Sequence, residues 1–210
     1  MADTTLVGAP VQVAQPEAPA AHPPLEIPDF QIVPRVGLII VAPIIGLLIA
    51  AIAVNKLWPL TFFHVAGGAA WTIVDLFLGL ILGPILGRLS IPARIEMTTK
   101  LMPKILIIMP TVVTMTLAAG WQLAAKMGTN LTSFPQHGWI VASFIVVGVM
   151  SVIALGLLEP ANIAVLVELK KPRPNPAVIE RLMKRFMYSA GILGVMQIAT
   201  LVIMTKLASS

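Results

Sequence analysis

The sequence predicts an all-α, polytopic transmembrane helical bundle with five spans, and three observations predict it. First, apolar runs at Val36–Val54, Leu60–Leu86, Leu101–Ala125, Trp139–Leu158 and Phe186–Leu207 fill most of the chain. A hydrocarbon core about 30 Å thick needs roughly 20 apolar residues of helix to cross it. Within lipid, backbone N–H and C=O groups must be paired inside the segment, so each run reads as an α-helix. Second, the 58% hydrophobic content and a mean hydropathy of +0.94 are too apolar for a water-soluble core.

Third, the basic residues are sorted by side. With five crossings, Arg35, Arg88, Arg94, Lys100, Lys104, Lys170, Lys171, Arg173, Arg181, Lys184 and Arg185 fall on one side. Only Lys56, Lys126 and Lys206 fall on the other. Eleven against three is a strong positive-inside bias, predicting a cytoplasmic N-terminus and an external C-terminus. The net charge of +5 therefore reads as topology and lipid head-group contact, and a nucleic-acid surface is not inferred. With no cysteine in the chain, disulfides, thiolate metal sites and cysteine nucleophiles are excluded. Trp58, Phe62, Phe63, Trp121, Phe134 and Trp139 sit near the predicted outer helix ends, as an interfacial aromatic belt would.

The elements follow in order. Residues 1–33 are Pro- and Ala-rich, with too little apolar surface to fold alone, and are expected to form an extended cytoplasmic tail. Residues 34–210 form the bundle. No cleavable signal peptide is read in the first 30 residues, which lack a basic start and an apolar h-region. The first helix carries Pro43 and ends in a very short loop from Asn55 to Pro59. The second helix bears Gly79, Gly83 and Gly87 at four-residue spacing, a stripe that lets a neighbouring helix approach closely. Pro84 is expected to bend its inner end. A short amphipathic loop, Ser90–Thr99, should lead to the third helix. There, threonine hydroxyls such as Thr111 could bond the carbonyl freed by Pro110. In the fourth helix, Met150 stands alone and reads as a lipid-compatible residue. Glu159-Pro160 closes its most apolar part, and Ala161–Leu169 could continue it as a bent helix. A Pro-rich basic loop at 171–176 precedes the fifth helix, which starts with the cationic turn Arg181–Arg185.

Four polar positions could carry chemistry: His64, Asp75, His137 and Glu159. His64 and His137 both fall near the outer ends of helices running in the same direction. Two such imidazoles could bind a metal or supply both axial ligands to a haem iron, or simply meet water and head groups. Asp75 lies eleven residues after His64 and Trp71 lies seven after it. At about 100° per residue all three share one face with Gly79, expected to look into the bundle. A carboxylate near the bilayer centre costs about 2.5–3.5 kcal/mol on insertion scales, so Asp75 needs a donor, a proton or a wet cavity. Trp71, the threonines of the third helix and Gln197 are the candidate donors. Glu159 reads as an interfacial residue near the inner boundary.

The segment Phe63-His64-Val65-Ala66-Gly67-Gly68-Ala69-Ala70-Trp71 resembles the His-containing helix opening of the copper-resistance D-like families. Those are small integral membrane proteins of bacteria with predicted haem-binding members. The order differs here, because Gly67-Gly68 precedes Trp71, and the resemblance covers one helix of five. It implies that His64 matches the family histidine, with His137 as the second ligand of a b-type haem in the bacterial inner membrane.

No soluble-enzyme motif is present: no P-loop, no Gly-x-Ser-x-Gly, no His-Glu-x-x-His and no dinucleotide fingerprint. The leading expectation is a non-catalytic subunit that anchors or assembles a larger inner-membrane complex with other membrane subunits, with haem b its specific form. The alternative is a small transporter or proton-conducting protein using Asp75.

Overall fold

The computed structural model describes residues 27–128, 132–133 and 135–209. Five helices long and apolar enough to cross a membrane make up nearly all of them: α1 (Arg35–Val54), α2 (Leu57–Arg88), α3 (Ile91–Lys126), α4 (Gln136–Leu169) and α5 (Pro176–Ala208). No strand occurs among the described residues.

The chain reverses between rods with short turns that the local sequence explains. Asn55 adopts the left-handed conformation (φ 49°) after α1, which asparagine tolerates, and its N–H closes on Ala51 O. Lys126 Nζ then donates to Asn55 O at 2.8 Å, tying the end of α3 to this first turn. At the opposite end, Arg94 Nη2 donates to Gly87 O and Leu89 O, satisfying carbonyls that the end of α2 leaves open. Asn175 caps α5: its side chain accepts from Ala177 N and Val178 N, and Pro176 opens the first turn.

Two rods contain a π turn, at Phe77–Leu82 in α2 and at Ala154–Leu158 in α4. The cause is readable in each case. Pro84 and Pro160 lack an N–H and their rings crowd the carbonyls of Leu80 and Gly156, four residues earlier. Widening the helix at those carbonyls relieves the clash, and α4 continues through Glu159 to Leu169 as a bent helix.

Packing centres on α2 and α5. α2 lies along α3 over its first half and against α5 over its second half, while α4 runs beside α5. α1 lies outside α3 and buries only Leu48 and Ala51, so most of its surface is left to lipid. The main core gathers Leu78, Met102, Leu158, Leu166, Phe186 and Leu193, all essentially inaccessible. Ile27, Phe30 and Ile32 rest on this core, so the last stretch of the N-terminal segment is docked on the bundle. Lys170 fixes it there, pairing with Asp29 at 3.0 Å and standing over the Phe30 ring. The hydrogen bond and charge of Lys170 hold the Asp29 carboxyl below the ordinary carboxylate range. The rest of the expected tail, residues 1–26, lies outside the described residues.

Four local expectations need correction. The stretch 91–100 is not a loop but the first turns of α3, started by Pro92 and held by buried Ile95, Thr98 and Thr99. Thr111 and Thr116 donate to Ile107 O and Val112 O, one turn back, rather than to the Leu106 carbonyl that Pro110 leaves open. Met150 is fully buried and accepts from Thr200 Oγ1, because the α4–α5 contact covers it. In the aromatic set, Trp58 stacks on Phe62 with ring centroids 5.8 Å apart, whereas Phe63 is buried between α1 and α3. Phe134 lies outside the described residues.

Candidate functional site

Asp75 sits midway along α2 and is fully buried. It lies two residues before the π turn, where α2 crosses α5. That crossing is close because both helices present glycine: a Cβ on Gly79 would stand 2.9 Å from Gly191 Cα. Gly194 likewise faces the Asp75–Leu76 backbone. Gln197, one turn further along α5, is thereby brought to Asp75 and donates from Nε2 to Oδ2 at 3.4 Å. The amide Oε1 of Gln197 lies 2.9 Å from Thr72 Oγ1, which is also 2.8 Å from Gly68 O. The single hydroxyl proton of Thr72 serves one of these acceptors at a time. Gln197 thus bridges two positions of α2, three residues apart, from one position of α5.

Trp71 and Asp75 are buried one turn apart on the same helix. Trp71 Nε1 is close enough to interact with the carboxyl, yet neither it nor Asp75 Oδ1 completes a hydrogen bond of standard geometry. An unmade bond on a buried polar atom costs about 1–3 kcal/mol. This centre therefore holds both a satisfied bridge and two open polar atoms.

His64 belongs to a second contact, between α2 and α3. Its Nδ1 lies 2.9 Å from Thr116 O and must donate, since a carbonyl only accepts. The ring lies over Gly120, where a Cβ would meet Nδ1 at 2.6 Å. Gly67, one turn along, meets Thr116 and Met115 just as closely. A proton on Nδ1 leaves Nε2 as the ring nitrogen through which this histidine could ligate a metal. His137 is exposed in the first turn of α4, and that half of α4 packs on α5 rather than on α2. The structure brings His64 to Thr116, and Asp75 to Gln197, Thr72 and Trp71. It does not bring His137 to either group. Among the described residues, no three His, Asp or Glu side chains cluster as metal ligands.

Of the glycine stripe, Gly79 meets Gly191 and Gly83 meets Met187, whereas nothing lies within 4 Å of a Cβ on Gly87. The close contact ends one turn earlier than the stripe does.

Sequence reasoning missed Asn162, fully buried on α4, whose Nδ2 reaches Met102 O at 3.4 Å while Oδ1 has no partner. Glu159, three residues before it, has a buried Oε1 that also lacks a partner. An asparagine inside an otherwise apolar run, one helical turn from a carboxylate, was the available signal. Comparison with family models, with curated proteins and with solved structures found no match.

Proposed function

We propose that this multi-pass membrane protein is a non-catalytic integral subunit of the bacterial inner membrane, anchoring or assembling a larger complex. The observation that carries this reading is the Gln197 bridge, in which buried polar side chains join two helices. His64 to Thr116 and Asn162 to Met102 act in the same way, each tying two rods. The first three rods are joined by links of only Asn55–Lys56 and Leu89–Ser90, too short to carry a soluble site of their own.

A b-type haem is the specific form of this reading. Nε2 of His64 suits an axial ligand, and a bound haem would supply one-electron transfer. His137, exposed on a helix that does not pack on the first half of α2, does not fit as its partner in this arrangement. No step is therefore built on haem.

A second reading, proton movement at Asp75, is favoured by the open Oδ1 beside Trp71 in the membrane core. One pair of measurements separates the two. Asp75→Asn keeps the shape and one oxygen to accept from Gln197 Nε2, but cannot titrate. For a structural tie, the variant should copurify with the same stoichiometric partners in mild detergent as the native chain. Its stability, followed by the thermal midpoint, should stay within about 1 kcal/mol of native. For a proton site, liposomes carrying Asp75→Asn should lose proton flux that the native protein supports. A native chain that purifies without partners contradicts the subunit reading.

A further inference from the structure

Between α2 and α5, on the inner side of the Asp75 centre, lies a cavity of about 560 Å³ lined by Gly79, Gly83, Pro84, Tyr188, Gly191 and Val195, among others. It opens outward to the lipid-facing surface, since Tyr188 and Val195 are 74% and 64% exposed. Its lining is mostly apolar, and Gly79 and Gly83 mark where α2 and α5 approach most closely beside it. Nothing lies within 4 Å of a Cβ on Gly191, so the room there belongs to the groove.

The inner mouth of the groove is strongly basic. Arg88 follows Pro84 by four residues on α2, about 40° round the helix. On α5, Arg181, Lys184 and Arg185 precede Tyr188 by seven, four and three residues, within about 20–60° of its direction. All four cations are exposed, and Lys184 lies within electrostatic reach of the Tyr188 hydroxyl. Glu180 pairs with Lys184 at 2.8 Å and lies within electrostatic reach of Arg94. Arg88, Arg181 and Arg185 have no ion-pair partner among the described residues.

The dimensions match one leaflet. Nine residues separate Gly79 from Arg88, at most about 14 Å at the α-helical rise, since the π turn shortens its first part. Half of a hydrocarbon core is about 15 Å. An apolar slot of that length ending in a cluster of cations is complementary to an acyl chain ending in a phosphate. Basic pockets between membrane helices on the positive side hold anionic head groups by the same chemistry.

We propose that this groove binds one anionic phospholipid of the inner leaflet. An acyl chain lies against Gly79, Gly83 and Gly191, and the phosphate meets Arg88 and the cations of the first turns of α5.

The full-length protein, delipidated in mild detergent, would be titrated with phosphatidylglycerol and with phosphatidylcholine of the same acyl chains. Native mass spectrometry counts the lipids retained. The expected result is one phosphatidylglycerol per chain, held about tenfold more tightly than phosphatidylcholine. Gly191→Leu, filling the slot, should weaken both lipids by about tenfold. Arg88→Gln with Arg185→Gln should bring the two lipids to parity while leaving phosphatidylcholine binding intact. Equal retention of both lipids by the native chain overturns the proposal, as does undiminished phosphatidylglycerol binding by folded Gly191→Leu. Self-association through this groove in place of lipid also overturns it. Should Gly191→Leu fail to fold, the exposed arginines decide: unchanged lipid preference in their double variant is a negative answer.

Discussion

Gly79→Leu should be among the most damaging single substitutions in the bundle. The new Cβ would stand 2.9 Å from Gly191 Cα, 3.0 Å from Gly191 N and 3.2 Å from Ala190 C. All three are backbone atoms of α5, so no side chain can swing away to make room. Comfortable carbon–carbon separation is about 3.5–4.0 Å, and α2 and α5 must therefore move apart. That movement also stretches the 3.4 Å bond from Gln197 to Asp75, already long. Overpacking costs about 1–3 kcal/mol, and a clash with backbone belongs at or above the upper end. A fall of roughly 5–10 °C in thermal midpoint is expected by scanning in a mild detergent. Gly46→Leu on α1, where nothing lies within 4 Å, is the control and should stay within about 0.5 kcal/mol of native. Equal midpoints for both variants would show that α2 and α5 are not in close contact.

Gly67→Leu should have the second largest effect, at the α2–α3 contact. Its Cβ would meet Thr116 Oγ1 at 2.8 Å, Met115 Cβ at 2.9 Å and Thr116 N at 3.0 Å. Part of that clash is with side chain, but the amide nitrogen of Thr116 cannot yield without displacing α3. His64 lies one turn away and donates to the same residue, so separation there removes the imidazole from its carbonyl. The loss should exceed that of His64→Ala, which gives up one hydrogen bond of about 1 kcal/mol and some packing. Thermal scanning of both variants checks the ranking. His64→Ala proving the more damaging would mean that the imidazole, and not the glycine approach, holds α3.

The five rods were legible because run length and hydropathy are local properties, and lipid permits little besides helix. Their lengths were less so. Residues 91–100 carry charges among apolar positions and extend α3 beyond its greasy stretch, whereas the continuation of α4 over 161–169 as a bent helix was readable. Pro84 and Pro160 announced distortion, yet a kink and a π turn begin from the same missing N–H. The sequence face His64-Trp71-Asp75-Gly79 does turn inward, but its members meet different neighbours: α3 for His64 and α5 for Asp75 and Gly79. That division depends on where α2 crosses each partner, which no periodicity within α2 encodes. Gln197 could be named as a donor from its depth alone. Its simultaneous hold on Thr72 required the crossing. His137 shows the reverse case, since similar depth did not bring it to His64.

Attachment of single cysteines tests the membrane bundle most directly, and a chain without native cysteine permits it cleanly. Cysteines at Asn55, Ser90, Ser133, Arg173 and Ser209 would be exposed to a membrane-impermeant maleimide in intact cells and again after permeabilisation. Five crossings with the basic loops inside predict labelling of Asn55→Cys, Ser133→Cys and Ser209→Cys in intact cells. Ser90→Cys and Arg173→Cys should react only once the membrane is opened. Finding Ser209→Cys protected together with Arg173→Cys would contradict the account, because α5 would then not cross the bilayer.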